Sequence, residues 1–244
     1  MGALIRTGGL EAAAAALRYW EQRQEVLANN LANVSTDGFK GERAFAQLLG
    51  DGRTPTIGTV TDFTSGPMAE TGAPLDLAVG RDGFFVVQTP AGERLSRGGA
   101  LHLDTRGQLV DQSGNVVLGE ADPKGGSQGP VVLPAHVGSV VIDEAGAVVA
   151  DGRQVARLRL ETVPTGSRLQ HEAGGLFAAP GPLVRVELAQ RTIRQGVREQ
   201  SNVSTVPALV DMIAVQRAYS SVQKVLTAID SARGMAVTEL GKPA

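Results

Sequence analysis

The chain has 244 residues, enough for one large domain or two modest ones, with 42% hydrophobic residues, 20% charged and only 4% aromatic. Its 31 glycines point to many tight connections and so to β-structure, and a net charge of −2 supplies no clustered basic footprint for a phosphate backbone. The absence of cysteine excludes disulfide frameworks, thiolate chemistry and cysteine-based metal sites.

The opening stretch MGALIRTGGLEAAAAALRYW is alanine-rich, but Arg6, Glu11 and Arg18 interrupt it before it could cross a bilayer. It runs on into a helical pattern and does not read as a Sec-type signal, so export would need another route. Leu10, Leu17, Gln24 and Leu31 recur at heptad spacing, with Ala13, Trp20, Leu27 and Val34 in the partner positions of the same seam. Gly8 and Gly9 weaken its first turns by about 1 kcal/mol each relative to alanine. Asn33 to Gly38 supply the stop, with Gly38 suited to the left-handed conformation.

From about Lys40 to Pro74 the periodicity is poor, which predicts an extended connector. Beyond it, FFVVQT from Phe84 reads as a strand ended by Pro90, Ala91 and Gly92. Further strands are expected at Leu75 to Val79, Val131 to Leu133, Val140 to Ile142, Ala156 to Val163, Leu176 to Ala178, Val184 to Leu188 and Thr192 to Val197. DTRGQLV from Asp104, DQSGNVV from Asp111 and DEAGAVV from Asp143 share one template: the aspartate bonds its own turn, the glycine supplies positive φ, and two aliphatics begin a strand. DPKGGSQGP, Asp122 to Pro130, reads as flexible.

Near the end, Met212, Tyr219 and Leu226 alternate with Val215, Val222 and Ile229 in a second seam. This helix is expected to start at about Pro207, capped by Ser204 or Thr205, and to fray beyond Gly234. Asn-Val-Ser-Thr occurs at Asn33 and again at Asn202, each time at a helix boundary, where local side-chain hydrogen bonding would account for it. Tyr19, Val26, Val210, Ile213 and Val225 fall outside a strict two-helix seam and call for further helices around it.

The fold class that follows is a mainly β central domain with two terminal α-helices forming a coiled-coil-like helical domain, discontinuous in sequence. Residues 1–39 and 203–244 form the helical assembly domain, 40–73 the connector and 74–202 the all-β domain. Catalytic chemistry has no support: Walker and dinucleotide-binding patterns do not occur. His102, His136 and His171 are isolated, and His171 beside Glu172 reads as a solvated loop pair. Asp104, Asp111 and Asp143 are turn residues in this reading, without the acidic density of a calcium loop. The chain therefore reads as an assembly subunit without cofactor, metal or small-molecule substrate. A free-standing β-rich binding module is the rival, although Trp20, Tyr19 and Tyr219 all sit in the helices.

Three segments carry a resemblance: VLANNLANVSTDGFK from Val26, PLDLAVGRDGFFVVQTPAGERLSRGGALHLDTRGQLV from Pro74, and EQSNVSTVPALVDMIAVQRAY from Glu199. In this order they resemble the bacterial flagellar rod and hook family of axial proteins. The resemblance implies a subunit of the periplasm-spanning rod, exported without a cleaved signal by the flagellar type III apparatus. It partners copies of itself and neighbouring rod subunits, its terminal helices packing in an inner tube and its β-rich middle outside. Leu27, Asn29, Asn30, Leu31, Asn33, Gly38 and Phe39, and Asn202, Val203, Met212, Gln216, Arg217 and Tyr219, take subunit-packing roles by that resemblance. The short connector and VVLGEADPKGGSQGPVVLP are similar to the proximal rod type, and QRAY from Gln216 to the distal type.

Overall fold

The computed structural model describes residues 2–48, 55–80, 83–120, 128–164 and 169–240. Helix α1 spans Gly2–Ala32, helix α2 spans Thr205–Leu240, and short strands fill the sequence between them. The mainly β middle with a helix at each end is the expected fold class. The described residues form two compact units, one containing α1, α2 and residues 42–60, the other residues 33–41 and 61–203.

The core of the second unit is built on Phe84–Thr89, whose first four residues are all buried. This strand pairs antiparallel with Gly92–Ser96, and also with Val116–Gly119 and Leu160–Thr162. Its alternating side chains serve two clusters: Phe85 and Val87 pack with Leu158, Leu160 and Ile193, while Phe84 and Val86 pack with Leu95 and Phe177. A strand covered on both faces reads as a continuous apolar run, which explains FFVV. A separate three-stranded sheet joins Val140–Ile142, Ala147–Ala150 and Arg153–Arg157.

The repeated turn template forms as expected. Asp104 Oδ1 accepts from the amides of Arg106 and Gln108, Asp111 Oδ1 from those of Ser113 and Asn115, and Asp143 Oδ1 from that of Ala147. Gly107, Gly114 and Gly146 supply positive φ of 76°, 81° and 85°.

Several elements differ from expectation. The 40–73 segment contains strands Glu42–Leu48 and Pro55–Thr61, which pair with each other, and Met68–Glu70, which pairs with Val197–Glu199. Backbone pairing supplied by distant sequence is what creates them. Of the stretch expected to be flexible, residues 122–127 lie outside the described residues, and Gly129–Pro130 is a strand paired with Val116–Gly119. Val131–Leu133 is held by single bonds, Val131 N to Val117 O and Leu133 N to Gly107 O, without making a full strand. α2, expected to fray beyond Gly234, continues to Leu240. His171 does not form a solvated loop pair: its ring packs edge-on between Phe39 and Phe177, each 5.0 Å away, and Glu172 accepts from Arg94.

Candidate assembly surface and chain-end clamp

Five consecutive alanines, Ala12 to Ala16, carry α1 through its weak glycine start because alanine orders at the least entropic cost. α2 opens with Ala208 N donating to Ser204 O at 3.1 Å. Pro207 lies in that first turn, where its missing N–H would have had no helical partner. α1 packs on α2, and Tyr219 Oη donates to Glu21 Oε1 at 3.0 Å. Glu21 lies about three turns before the end of α1 and Tyr219 about four turns after the start of α2; because the chain just after α1 is bonded to the chain just before α2, Gly38 N to Glu199 O at 2.7 Å, the paired helices run antiparallel.

The α2 seam is as narrow as its heptads imply. Val215 is buried, and Met212, Tyr219, Val222, Leu226 and Ile229 are half-buried. On α1, Leu10, Leu17, Trp20, Leu27 and Leu31 are half-buried, as is Val34 just beyond its end. Tyr19 and Arg23 pack on Trp20, the guanidinium 5.6 Å from the ring centre. Val26 is buried at 5% exposure, so the need for an outside helix there does not arise. Asn30, one turn further on the same face, donates to Glu42 O at 2.8 Å and accepts from Glu42 N at 2.9 Å. This face of α1 meets the strand Glu42–Leu48.

The outer side of α2 is different. Val206, Val210, Ile213 and Val225 are 72%, 60%, 50% and 54% exposed, and Leu209 and Met235 are exposed as well. Asn29, Gln216 and Arg217 are exposed too. A helix apolar on its seam and again on the opposite face is built to be covered twice.

In the other unit, the segment that follows α1 is clamped to the segment that precedes α2. Gly38, at φ +68°, donates its amide to Glu199 O at 2.7 Å. A Cβ there would stand 2.3 Å from the Arg97 carbonyl carbon, so only glycine fits. Phe39 is fully buried. The next side chain, Lys40, donates to Glu199 Oε1 at 2.7 Å and to Thr64 O at 2.8 Å, with both ionic side chains fully buried. Arg97 reaches Glu199 Oε2 at 3.4 Å and Gly80 O at 3.0 Å, and stacks over Phe84. Gly66 N donates to Glu199 Oε1 at 2.9 Å. Burial pushes the Lys40 ammonium below the ordinary lysine range, against the opposing pull of Glu199.

Asn202 completes the clamp. Its Oδ1 accepts from Gly41 N at 2.8 Å, and its Nδ2 donates to Asp62 O at 2.7 Å and Thr64 O at 3.1 Å. The local capping role expected for it is replaced by a three-segment tie, whereas the Asn33 side chain does bond locally, its Oδ1 accepting from the Thr36 hydroxyl at 3.1 Å, and its backbone carbonyl accepts from Thr36 N. Thus Asn30, Gly38, Phe39, Asn202 and Val215 are each buried or hydrogen-bonded within the chain. Sequence reasoning missed Lys40, Arg97 and Glu199, because no local pattern links Lys40 to a carboxylate 159 positions away.

Comparison with known proteins supplies the family. Residues 8–40 match the family described as flagella basal body rod protein, 78–150 the flagellar hook protein FlgE/F/G D1 domain, and 194–238 the flagellar basal body rod FlgEFG protein C-terminal region. Flagellar basal-body rod protein FlgF of Caulobacter vibrioides is 33% identical over 235 residues, covering 89% of this chain and 91% of the relative. The chain belongs to the flagellar basal-body rod family. FlgF of Escherichia coli is 36% identical over 230 residues, covering 88% and 90% of the two chains. FlgG of Buchnera aphidicola subsp. Acyrthosiphon pisum is 32% identical over 236 residues, covering 84% and 89%. These matches favour the FlgF type, with FlgG next. This rod-family chain is a structural subunit of the flagellar basal body, and its family is not one of enzymes. Among the described residues, no helix is long and apolar enough to cross a membrane.

Proposed function

We propose that the chain polymerises through its terminal helices, with copies of itself and neighbouring rod subunits, to build the proximal part of a shaft that spans the periplasm. The observation that carries this reading is the second apolar face of α2, exposed from Val206 to Ile213 although the seam face is already occupied. Residues 1–39 and 203–244 act as the assembly domain, 40–73 carries the chain onward, and 74–202 forms the outer β layer. Within the assembly domain, Leu10, Leu17, Trp20, Leu27, Leu31 and Val34 and the α2 seam set the pairing of the helices. Asn29, Gln216 and Arg217 contact neighbouring subunits. Export proceeds through the flagellar type III apparatus without a cleaved signal.

Deletion of the coding sequence in its own organism, with complementation, tests the reading. We expect loss of motility, basal bodies arrested before the hook, and recovery of the complementing chain in the rod fraction with its N-terminus intact. Motile cells with complete rods after deletion would overturn it.

A further inference from the structure

We infer that the outer face of α2 in one subunit docks on the outer face of α1 in the next, with the helix hairpins side by side in the same orientation. The inference rests on the rod reading and specifies which surfaces meet. Along α2, the exposed stripe opposite the seam begins with the bulky Val206, Val210 and Ile213 and continues into Arg217 and Lys224. Asp211 and Asp230 fall toward the seam side by helical spacing, so this stripe is apolar and basic.

The exposed stripe of α1 has the complementary character. Among the described side chains of α1, Glu11, Glu21 and Glu25 are exposed against the single exposed base Arg18, and toward the end of the helix the exposed residues are the small Ala28 and Ala32 together with the uncharged Asn29. One oxygen of Glu21 already holds Tyr219, which fixes the antiparallel register inside the hairpin. Moving a second hairpin sideways without rotation preserves that register. It sets Val206 opposite Ala32 and Val210 opposite Ala28, large side chains over small ones. It also sets Arg217 within reach of Glu21 and Glu25.

Pairing α2 faces with each other would instead bring Arg217 and Lys224 against their own counterparts, which like charge opposes. A contact between two different faces is heterologous, so each added copy presents a fresh face and the contact propagates into a ring or a helical filament according to the rotation between copies.

The chain has no cysteine, so Ala28→Cys with Val210→Cys gives a clean crosslinking pair. In basal bodies isolated from cells expressing the full-length double variant, mild oxidation should give a ladder of dimers and higher species, and Val210→Cys alone should give none. Arg217→Glu should cut incorporation into basal bodies by at least about tenfold, and adding Glu25→Arg should restore it. Dimers from Val210→Cys alone, or wild-type incorporation of the pair without a ladder, would overturn the face assignment while leaving the rod reading intact. If the cysteine pair blocks incorporation, the charge swap decides, and failure of Glu25→Arg to rescue overturns the assignment. Absence of the wild-type chain from basal bodies would overturn both readings.

Discussion

Glu199→Ala leaves Lys40 and Arg97 buried together without the carboxylate that both contact, and removes the acceptor of the Gly66 amide. Stranding a buried charge costs about 3 to 5 kcal/mol, and an unpaired buried amide about 1 to 3 kcal/mol more where water cannot reach it. We expect a loss of about 4 kcal/mol, a large share of the roughly 5 to 15 kcal/mol typical of a folded domain. Lys40→Met is the control. It leaves Glu199 paired with Arg97 and Gly66, and Thr64 O keeps its bond from Asn202, so its cost should stay under about 1.5 kcal/mol. Because the single tryptophan lies in α1, its fluorescence reports the wrong unit. Urea titration followed by hydrogen exchange in peptides covering 84–96 reads the β unit directly. Equal losses for the two variants, or a loss below about 1 kcal/mol for Glu199→Ala, would refute the argument that the carboxylate neutralises two buried cations.

Gly38→Ala should cost at least about 2 kcal/mol in the same titration, since it combines a positive φ of 68° with a Cβ driven into the Arg97 carbonyl. Val215→Ala should weaken helix pairing by about 1.5 to 3 kcal/mol, seen as a shift in the Trp20 unfolding transition. Ile213→Ala, on the exposed face, should leave that transition within about 0.5 kcal/mol and reduce recovery in basal bodies. Lys40 also gives a pH dependence. Its folded value is lowered, so above the folded value the unfolded chain binds more protons and stability rises with pH until the unfolded value is passed. That contribution is full above the unfolded value and is lost as pH falls through the lowered folded value. Lys40→Met should flatten this slope in urea midpoints measured through the alkaline range.

Features whose cause is local were legible in the sequence. Asp104, Asp111 and Asp143 each bond amides within four residues, so the template alone specified the turn. The α2 seam repeats its own register, and the buried and half-buried positions follow it. ERAFAQL at Glu42–Leu48 has no strong period and becomes a strand because Pro55–Thr61 pairs with it and α1 packs on it. Asn202 looked like a repeat of Asn33, but its partners lie about 140 and 161 positions away, where tertiary structure overrides local capping. Val26 misled for the same reason: a helix with two covered faces does not announce which neighbour covers the second.

Hydrogen exchange of the full-length chain, free in dilute solution and then incorporated in isolated basal bodies, tests most directly whether the terminal helices are the assembly elements. On incorporation, protection should rise steeply across residues 10–32 and 205–235 and change little in the strand Phe84–Thr89, which is already covered on both faces. Unchanged protection of both helices, with any gain confined to the β unit, would contradict assembly through the helices.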